Sequence, residues 1–457
     1  MMETVYERIV MQGRCVGCGT CAGACMAATG TGALHMAWHD SGIPAPVLNA
    51  DVCVQCGTCL SVCPLCEGND DTTIVGRSLF SFSEAKECAP VEDDLLGCYR
   101  SLHAGYSLVH KHRENGAGGG LTTWFLEEVL SQGLADRVAC VVPAKGPDTF
   151  FRFALLDSPQ AVRAASRSAY YPVHAADMLA EMAANDARYA LVGLPCVIRG
   201  FRLAARQLPA LASRLVMTVG LTCGQARSRY FAEYLCLRCG LDAGAVDRVC
   251  FRIKDAQRHQ LDHRFECRSG AGKGARQGHI YQTEGMGWLW GHDCFKVAGC
   301  NFCDDITSEL ADVSFADAVE EPHCHGNGGA NFVMVRSEAA GRLLAAGRDR
   351  GDIFLEDVTA EPVRKRMEGV ELIKRHDLRH RLHLMREAGM EPPVLRQQPQ
   401  RRDDAEKNEW MELRDCLRQA TTSVYAAHRH APDAGARVEE AIQDVLARMK
   451  KKDTRKA

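Results

Sequence analysis

From Cys98 onward, short apolar runs alternate with stretches of helical periodicity. Gly105-Tyr106-Ser107-Leu108-Val109 reads as a strand. Thr122 to Gln132 reads as a helix, with Trp124, Phe125, Val129 and Leu130 near helical spacing. Arg137 to Val142 is a strand stopped by Pro143, and Asp177 to Asn185 a helix. Tyr189 to Gly193 is a strand ended by Leu194-Pro195-Cys196, and Leu215 to Leu221 is a further strand. This alternation predicts an α/β (α+β) core with a partly parallel sheet. Residues 10–70 instead repeat a cysteine string, closed by the acidic stretch Glu67-Gly68-Asn69-Asp70-Asp71, and a spacer continues to about Asp94. Past Arg348 the pattern thins. Residues 361–457 are helix-prone, rich in Arg, Lys, His and Glu, and end in Lys450-Lys451-Lys452-Asp453-Thr454-Arg455-Lys456. The expected organisation is a domain over 1–75 whose repeated C-x2-C-x2-C-x3-C string marks it as ferredoxin-like, a binding core over 95–345 and a helical extension over 346–457. A run of charge is ordinarily a solvated face. The sharper alternative for the extension is a docking segment for a partner subunit.

Composition narrows the class. The 457 residues, 46% hydrophobic and 25% charged, suit two or three globular domains. A net charge of −3 sets up no field for nucleic acid, and no helix-turn-helix pattern is evident, so a DNA-binding regulator is disfavoured. There is no apolar run long enough to span a membrane, and Met1-Met2-Glu3-Thr4 lacks the features of a signal peptide. A cytoplasmic protein is expected. The 23 cysteines then point to metal or redox chemistry in a reducing compartment rather than to disulfides. Cys66, Cys88, Cys98, Cys140, Cys250, Cys267, Cys324 and Cys416 stand isolated, and most are expected to be small buried hydrophobes.

Two cysteine strings carry the strongest chemical signal. Cys15, Cys18, Cys21 and Cys25 form C-x2-C-x2-C-x3-C. Cys53, Cys56, Cys59 and Cys63 repeat it, and Pro64 follows. This is the bacterial run for 4Fe-4S clusters, in which the fourth cysteine of each string serves the other cluster. Cluster one is therefore assigned to Cys15, Cys18, Cys21 and Cys63, and cluster two to Cys53, Cys56, Cys59 and Cys25. Two zinc sites are the plainer alternative, but zinc ribbons separate their C-x2-C pairs by longer gaps. Met26 replaces the proline that would follow Cys25. Proline there shapes the exit turn and is not a ligand.

Two further segments suggest sites. Arg113-Glu114-Asn115-Gly116-Ala117-Gly118-Gly119-Gly120-Leu121-Thr122-Thr123 lies between a strand and a helix. Its glycines would let backbone N–H groups approach an anion at the helix start, such as the pyrophosphate of a flavin, with Arg113 adding charge. A glycine turn that merely enters the helix is an equal alternative. On the first reading, Gly119→Asp would expel the flavin by repulsion. Cys294, Cys300 and Cys303 form C-x5-C-x2-C and want a fourth ligand. Cys196, just past a strand end, is the first candidate and Cys223, also after a strand, the second. A zinc knuckle and an inert cysteine group remain alternatives. Cys236 and Cys239 read as packing on a helix face over Tyr230 to Gly240.

Four segments together resemble the beta-subunit family of coenzyme F-420 hydrogenases and dehydrogenases. Arg113 to Thr123 is similar to that family's R-x-x-G-S-G-G-x-x-T, and Gly193-Leu194-Pro195-Cys196 to its G-x-P-C. Cys300-Asn301-Phe302-Cys303-Asp304-Asp305 is similar to C-x-x-C-x-D-F, and Leu310 to Asp317 to L-A-D-I-S-x-G-D. The resemblance covers about residues 95–340. It implies FAD lined by Gly116, Gly118, Gly119, Gly120 and Thr122, beside a third 4Fe-4S cluster held by Cys196, Cys294, Cys300 and Cys303. The chain departs from the pattern at Ala117, at Ile306, at Ala316 and in Glu320-Glu321-Pro322-His323-Cys324-His325. These positions fall near the expected substrate face, so they bear on coenzyme F-420 more than on the flavin.

The implied activity is conversion between hydride and single-electron chemistry. A two-electron carrier, coenzyme F-420 or similar, would meet FAD. One-electron partners would be reached through the clusters: a hydrogenase, formate dehydrogenase or heterodisulfide-reductase-type subunit, or a ferredoxin. Arg252, Lys254 and His292 would neutralise reduced flavin or an anionic substrate, unless they are ordinary surface charge. A non-enzymatic relay and a reductase of its own organic substrate are the competing classes.

Overall fold

The computed structural model describes residues 3–80, 91–144, 149–270, 274–326 and 328–453. Its strands are β1 (Leu34–Trp38), β2 (Pro44–Leu48), β3 (Val91–Asp93), β4 (Gly97–Tyr99), β5 (Ser101–Ser107), β6 (Arg137–Pro143), β7 (Phe151–Leu156), β8 (Tyr189–Gly193), β9 (Leu215–Leu221), β10 (Arg248–Ile253), β11 (Arg264–Ser269), β12 (Arg276–Tyr281), β13 (Val313–Ala318), β14 (Ala330–Val335) and β15 (Ile353–Asp357). Eight of them form one sheet in the order β15-β5-β14-β13-β9-β8-β6-β7. β13, β9, β8 and β6 run parallel, and the outer pairings are antiparallel. The expected α/β core is present, and the parallel centre explains its legibility. β8 is buried at every position, as a strand covered on both faces must be, and so reads as an unbroken apolar run. The separate sheet β10-β11-β12, buried on one face only, left no such run.

The sheet sets which groups meet. β5 is antiparallel to β14 and β14 to β13, so β5 points the same way as β13, β9 and β8. Their carboxyl ends share one edge. Following them there are the glycine loop after β5, Cys196 after β8 and Cys223 after β9, while Asp317 lies near the end of β13. Open α/β sheets place their ligands at such an edge. Helix Pro195–Gln207 starts with proline at its first turn. It buries Val197, Ile198, Phe201, Leu203 and Ala204 on one face, which places Cys196 at the site.

The cysteine-rich N-terminal segment is packed into this core. Ala175 donates its N–H to the Cys18 carbonyl at 2.9 Å. Helix Thr20–Thr29 lies on helix Ala176–Ala184 so closely that a Cβ on Gly23 would stand 2.5 Å from the Ala176 carbonyl oxygen, and one on Gly200 would stand 2.4 Å from Thr20 Oγ1. One apolar core holds Cys18, Cys21, Cys25 and Cys63 together with Leu179, Val197 and Phe201.

The C-terminal extension is not a solvated tail. Helices Ala405–His428 and Ala434–Asp453 pack as a hairpin, and Leu413, Leu417, Tyr425, Val438 and Ile442 join Phe231, Phe265 and Phe295 in a second core. The abundant charge on these helices hides an apolar stripe, which is why charge density alone misread them. Leu417→Ala is expected to destabilise the protein by about 2–5 kcal/mol, the usual cost of emptying a buried leucine site. Unchanged denaturant unfolding would return the helix to solvent. Among the isolated cysteines, Cys66, Cys98, Cys140, Cys267 and Cys324 are buried, Cys250 is half-buried and Cys416 exposed. Cys88 lies outside the described residues.

Candidate cluster and cofactor sites

The two N-terminal strings line two separate cavities in the crossed arrangement. One is bounded by Cys15, Cys18, Cys21 and Cys63, the other by Cys25, Cys53, Cys56 and Cys59. The crossing follows from local structure. The third and fourth cysteines of the first string sit on helix Thr20–Thr29, a turn apart, so they face different neighbours. Gly19 and Gly57, in the left-handed region at φ 79° and 75°, turn the chain into the two short helices that follow. Burial raises the Cys21 thiol well above the ordinary range, and Cys18, Cys15, Cys63 and Cys59 raise it further. Burial likewise raises Cys63, with Cys18 and Cys15 adding to it. Thiols packed so that they oppose one another's ionisation need a positive centre to become thiolates, and iron supplies one.

A third group forms at the sheet edge, and its membership corrects the reading from spacing. The Cys196 thiol is raised by burial and then by Cys18, Cys303, Cys223 and Cys300. Cys223 is pushed up to about 12 by burial, against the pull of Lys374, with Cys300 and Cys303 adding to the rise. Ala226 N–H donates to Cys300 Sγ at 3.3 Å. Cys196, Cys223, Cys300 and Cys303 are thus together. Cys294 is not with them. It is fully buried among Phe231, Phe295 and Leu289, and the charges acting on it are Arg227 and Asp293. The two candidates for the fourth ligand both belong, and the third sequence-adjacent cysteine does not. Among the described residues no three His, Cys, Asp or Glu side chains converge as ligands of a single ion do. The corner ligands of a cube stand further apart than that.

The extension supplies a cation to this group. Lys374 lies in the π-helical turn Leu372–His376 and donates to the carbonyls of Cys223, at 3.0 Å, and Asp305. Burial acts to lower its ammonium, but Cys303, Cys223 and Asp305 outweigh that, so its proton is held more firmly than usual. Arg396 adds ion pairs to Asp304, at 2.7 Å, and Glu309, at 2.8 Å, beside Cys303. Nothing in the periodicity of residues 361–457 singles these two out.

The glycine loop is tighter than its composition suggests. A Cβ on Gly119 would stand 2.6 Å from the Gly105 carbonyl oxygen, and one on Gly118 would stand 2.6 Å from Asn331 Nδ2. Gly120 has φ 78°, and its Cβ would lie 2.3 Å from the His112 carbonyl carbon. Gly116 is similarly closed by Gly120 and His112. These glycines are required by close approach within the chain, to backbone at Gly116, Gly119 and Gly120 and to the Asn331 and Asp317 side chains at Gly118. Thr122 is half-buried at the second position of helix Leu121–Ser131. A buried relay braces the loop from below: Ser107 Oγ to His112 Nδ1 at 2.9 Å, His112 Nε2 to Glu127 at 3.0 Å, and Arg163 to Glu127 at 2.7 Å. Gly119→Asp therefore cannot isolate charge repulsion. Gly119→Ala already is expected to cost about 1–3 kcal/mol by overpacking, read as an earlier thermal transition. A wild-type melting curve would contradict the packing.

What converges on the loop is positive charge. A bulge between Cys250 and Ile253, with Arg252 at φ 54°, turns Arg252 out of the β10 alternation. It reaches Asp317 at 2.6 Å and the Ala117 carbonyl at 3.2 Å. Lys254 Nζ donates to the carbonyls of Arg113, Gly118 and Gly328 at 2.6–2.7 Å. Burial lowers it to about 8, helped by Arg252 and Arg113 and opposed by Asp317. Arg113 lies over the Tyr106 ring at 3.6 Å and donates to the Gly329 and His325 carbonyls. Three cations against one carboxylate fit an anionic ligand. His292, the other candidate, instead stacks on Trp288 at 4.3 Å. Within the divergent stretch, His323 and His325 both meet Glu356, at 2.8 and 3.1 Å.

Family models match three segments. Residues 102–180 match the N-terminal part of the beta subunit of coenzyme F-420 hydrogenase/dehydrogenase, and residues 186–361 match its C-terminal part. The chain belongs to the coenzyme F-420 hydrogenase/dehydrogenase beta-subunit family. A 4Fe-4S dicluster domain matches residues 14–65, so this member carries a two-cluster ferredoxin module ahead of the family core. One similar solved structure is the F-420-reducing NiFe hydrogenase complex from Methanosarcina barkeri, with 16% identity over 67% of this chain and 99% of that chain and a TM-score of 0.49. No curated protein matches this chain. Among the described residues no helix is long and apolar enough to cross a membrane.

Proposed function

We propose that this protein passes electrons between a hydride carrier, coenzyme F-420 or a similar molecule, and one-electron partners, through FAD beside the glycine loop and three 4Fe-4S clusters. The observation that carries this reading is the unbroken succession of thiols. Cys303, Cys223 and Cys300 neighbour Cys196, and Cys196 neighbours Cys18 of the next group. Cys21 of that group neighbours Cys59 of the last. The succession runs from the sheet edge to the surface, where Cys56 is exposed and Val54 beside it is 61% exposed. A redox partner subunit or a ferredoxin would approach there.

Arg113, Arg252 and Lys254 would face the anionic groups of the flavin, with Thr122 at the helix start beside them. When bound, a flavin exchanges a hydride with one partner and single electrons with another. The chain's own part is to hold the ligand's negative charge at the sheet edge and to bring the inner thiols together beside it. Cys196, Cys223 and Cys303 are half-buried there, with Cys196 on helix Pro195–Gln207 and the Cys223 carbonyl held by Lys374 at 3.0 Å. One observation favours a second reading, a relay without flavin: the glycine loop is closed by the chain's own backbone.

Anaerobically purified protein, mixed in turn with reduced F-420, NADH and NADPH, separates the two. The proposed converter bleaches a flavin absorption band and develops reduced-cluster EPR signals with one of these donors. Protein with clusters but no flavin, reduced only by another iron-sulfur protein, is the relay.

A further inference from the structure

We propose that the open face of the β10-β11-β12 sheet is a binding site for a small molecule bearing two or more phosphate or carboxylate groups. The strand pattern builds this face. Along β11, Phe265 and Cys267 point into the aromatic core, so Arg264, Glu266 and Arg268 point outward. β10 buries Val249 and Phe251 and turns out Arg248 and Cys250. With Arg167 arriving from the preceding segment, these side chains line an open recess of about 690 Å³, its mouth included.

The charge of the recess is unbalanced. Arg248 and Arg268 stand directly opposite each other in register, and like charges in that position are destabilising. Neither guanidinium has a hydrogen-bond or ion-pair partner among the described residues. Arg264 is shared between Glu266 at 3.5 Å, the Tyr281 hydroxyl at 3.4 Å and Asp255 at 3.9 Å. The recess thus holds four guanidiniums and one carboxylate. Planar forks on a rigid sheet match the paired oxygens of phosphate and carboxylate groups. A bound oligoanion removes the repulsion that the register imposes.

The recess also has an address. Arg167, at φ 138° where L side chains are rare, donates to Asn115 Oδ1 at 3.2 Å. Asn115 directly precedes the first glycine of the loop. Strand β10, which carries Arg248 in the recess, also carries Arg252 to the loop. The recess and the glycine loop are thus joined at two points, Asn115 and strand β10.

The test is titration of inorganic pyrophosphate into the anaerobically purified holoprotein at low ionic strength, followed by calorimetry, together with flavin content. The comparison is Arg248→Gln/Arg268→Gln against Arg342→Gln/Arg437→Gln, an equal charge change on exposed helices. Retained iron content and an unshifted melting transition confirm that the recess variant is folded. The expected result is pyrophosphate binding weakened at least tenfold in the recess variant and unchanged in the control. If flavin content falls along with it, the anion belongs to the cofactor. If only pyrophosphate binding falls, the anion belongs to a freely exchanging ligand. Equal weakening in both variants, or no change in either binding or flavin content, overturns the proposal.

Discussion

Cys223→Ser lowers the iron content of anaerobically purified protein from about twelve to about eight atoms per chain, and Cys294→Ser leaves it at about twelve. The two cysteines separate the ligand set read from spacing from the one the fold assembles. Cys294 precedes Cys300 and Cys303 in one segment, and nearness in sequence made it a natural ligand. The chain instead turns at Asp293 and Phe295, both at positive φ, and sends the Cys294 side chain into the aromatic core. Cys223 arrives from the end of β9, placed there by the Cys223 N–H bond to the Ile306 carbonyl at 2.8 Å. Iron analysis with EPR spin counting reads the outcome. Loss of four irons from Cys294→Ser, with Cys223→Ser unaffected, would restore the sequential set. The wild type at about eight would remove the third cluster altogether.

Lys374→Met lowers the midpoint potential of the inner cluster by on the order of 100 mV, and Lys374→Arg changes it far less. Reduction adds one negative charge to the cluster, and a fixed ammonium nearby stabilises that charge. At an effective dielectric constant of about 20, one unit charge several ångström away is worth on the order of 2 kcal/mol. With about 59 mV per tenfold for one electron, that is roughly 100 mV. Lys374 is 3% exposed, so salt screens it little. An EPR-monitored redox titration reads the shift directly. Equal potentials for wild type and Lys374→Met would mean that the lysine only ties the Cys223 and Asp305 carbonyls together.

Residues 361–457 show why part of this site was not legible in sequence. Lys374 and Arg396 look like any other basic residues of a charged helical segment. They become neighbours of the Cys303 thiol group because helices 360–371 and 377–387 carry the chain back over the Cys303 loop. The glycine loop illustrates the converse. Four glycines in five positions announced close approach, and close approach is there, but to Gly105, His112 and Asn331 of the same chain. Composition reports that a side chain is forbidden without reporting what forbids it. The cations that reach the loop, Arg252 and Lys254, come from β10 and its end, past a bulge whose register no local pattern announces.

The sequence by itself determined what depends on short spacing. It specified the two cysteine strings, each with three cysteines within one loop's reach and a repeat that implies the crossed fourth, and the central strands, whose two-sided burial requires an apolar run. The family motifs also lie within single segments. Only the tertiary structure decided what depends on distant segments meeting. It brought Cys223 rather than Cys294 to Cys196, Cys300 and Cys303, placed Lys374 beneath them, and set Cys18 against Cys196 so that the thiol groups form one line. The physical reason is that a cluster is satisfied by thiolates from any direction. Which thiolates arrive is settled by the packing of the sheet edge, not by their order along the chain.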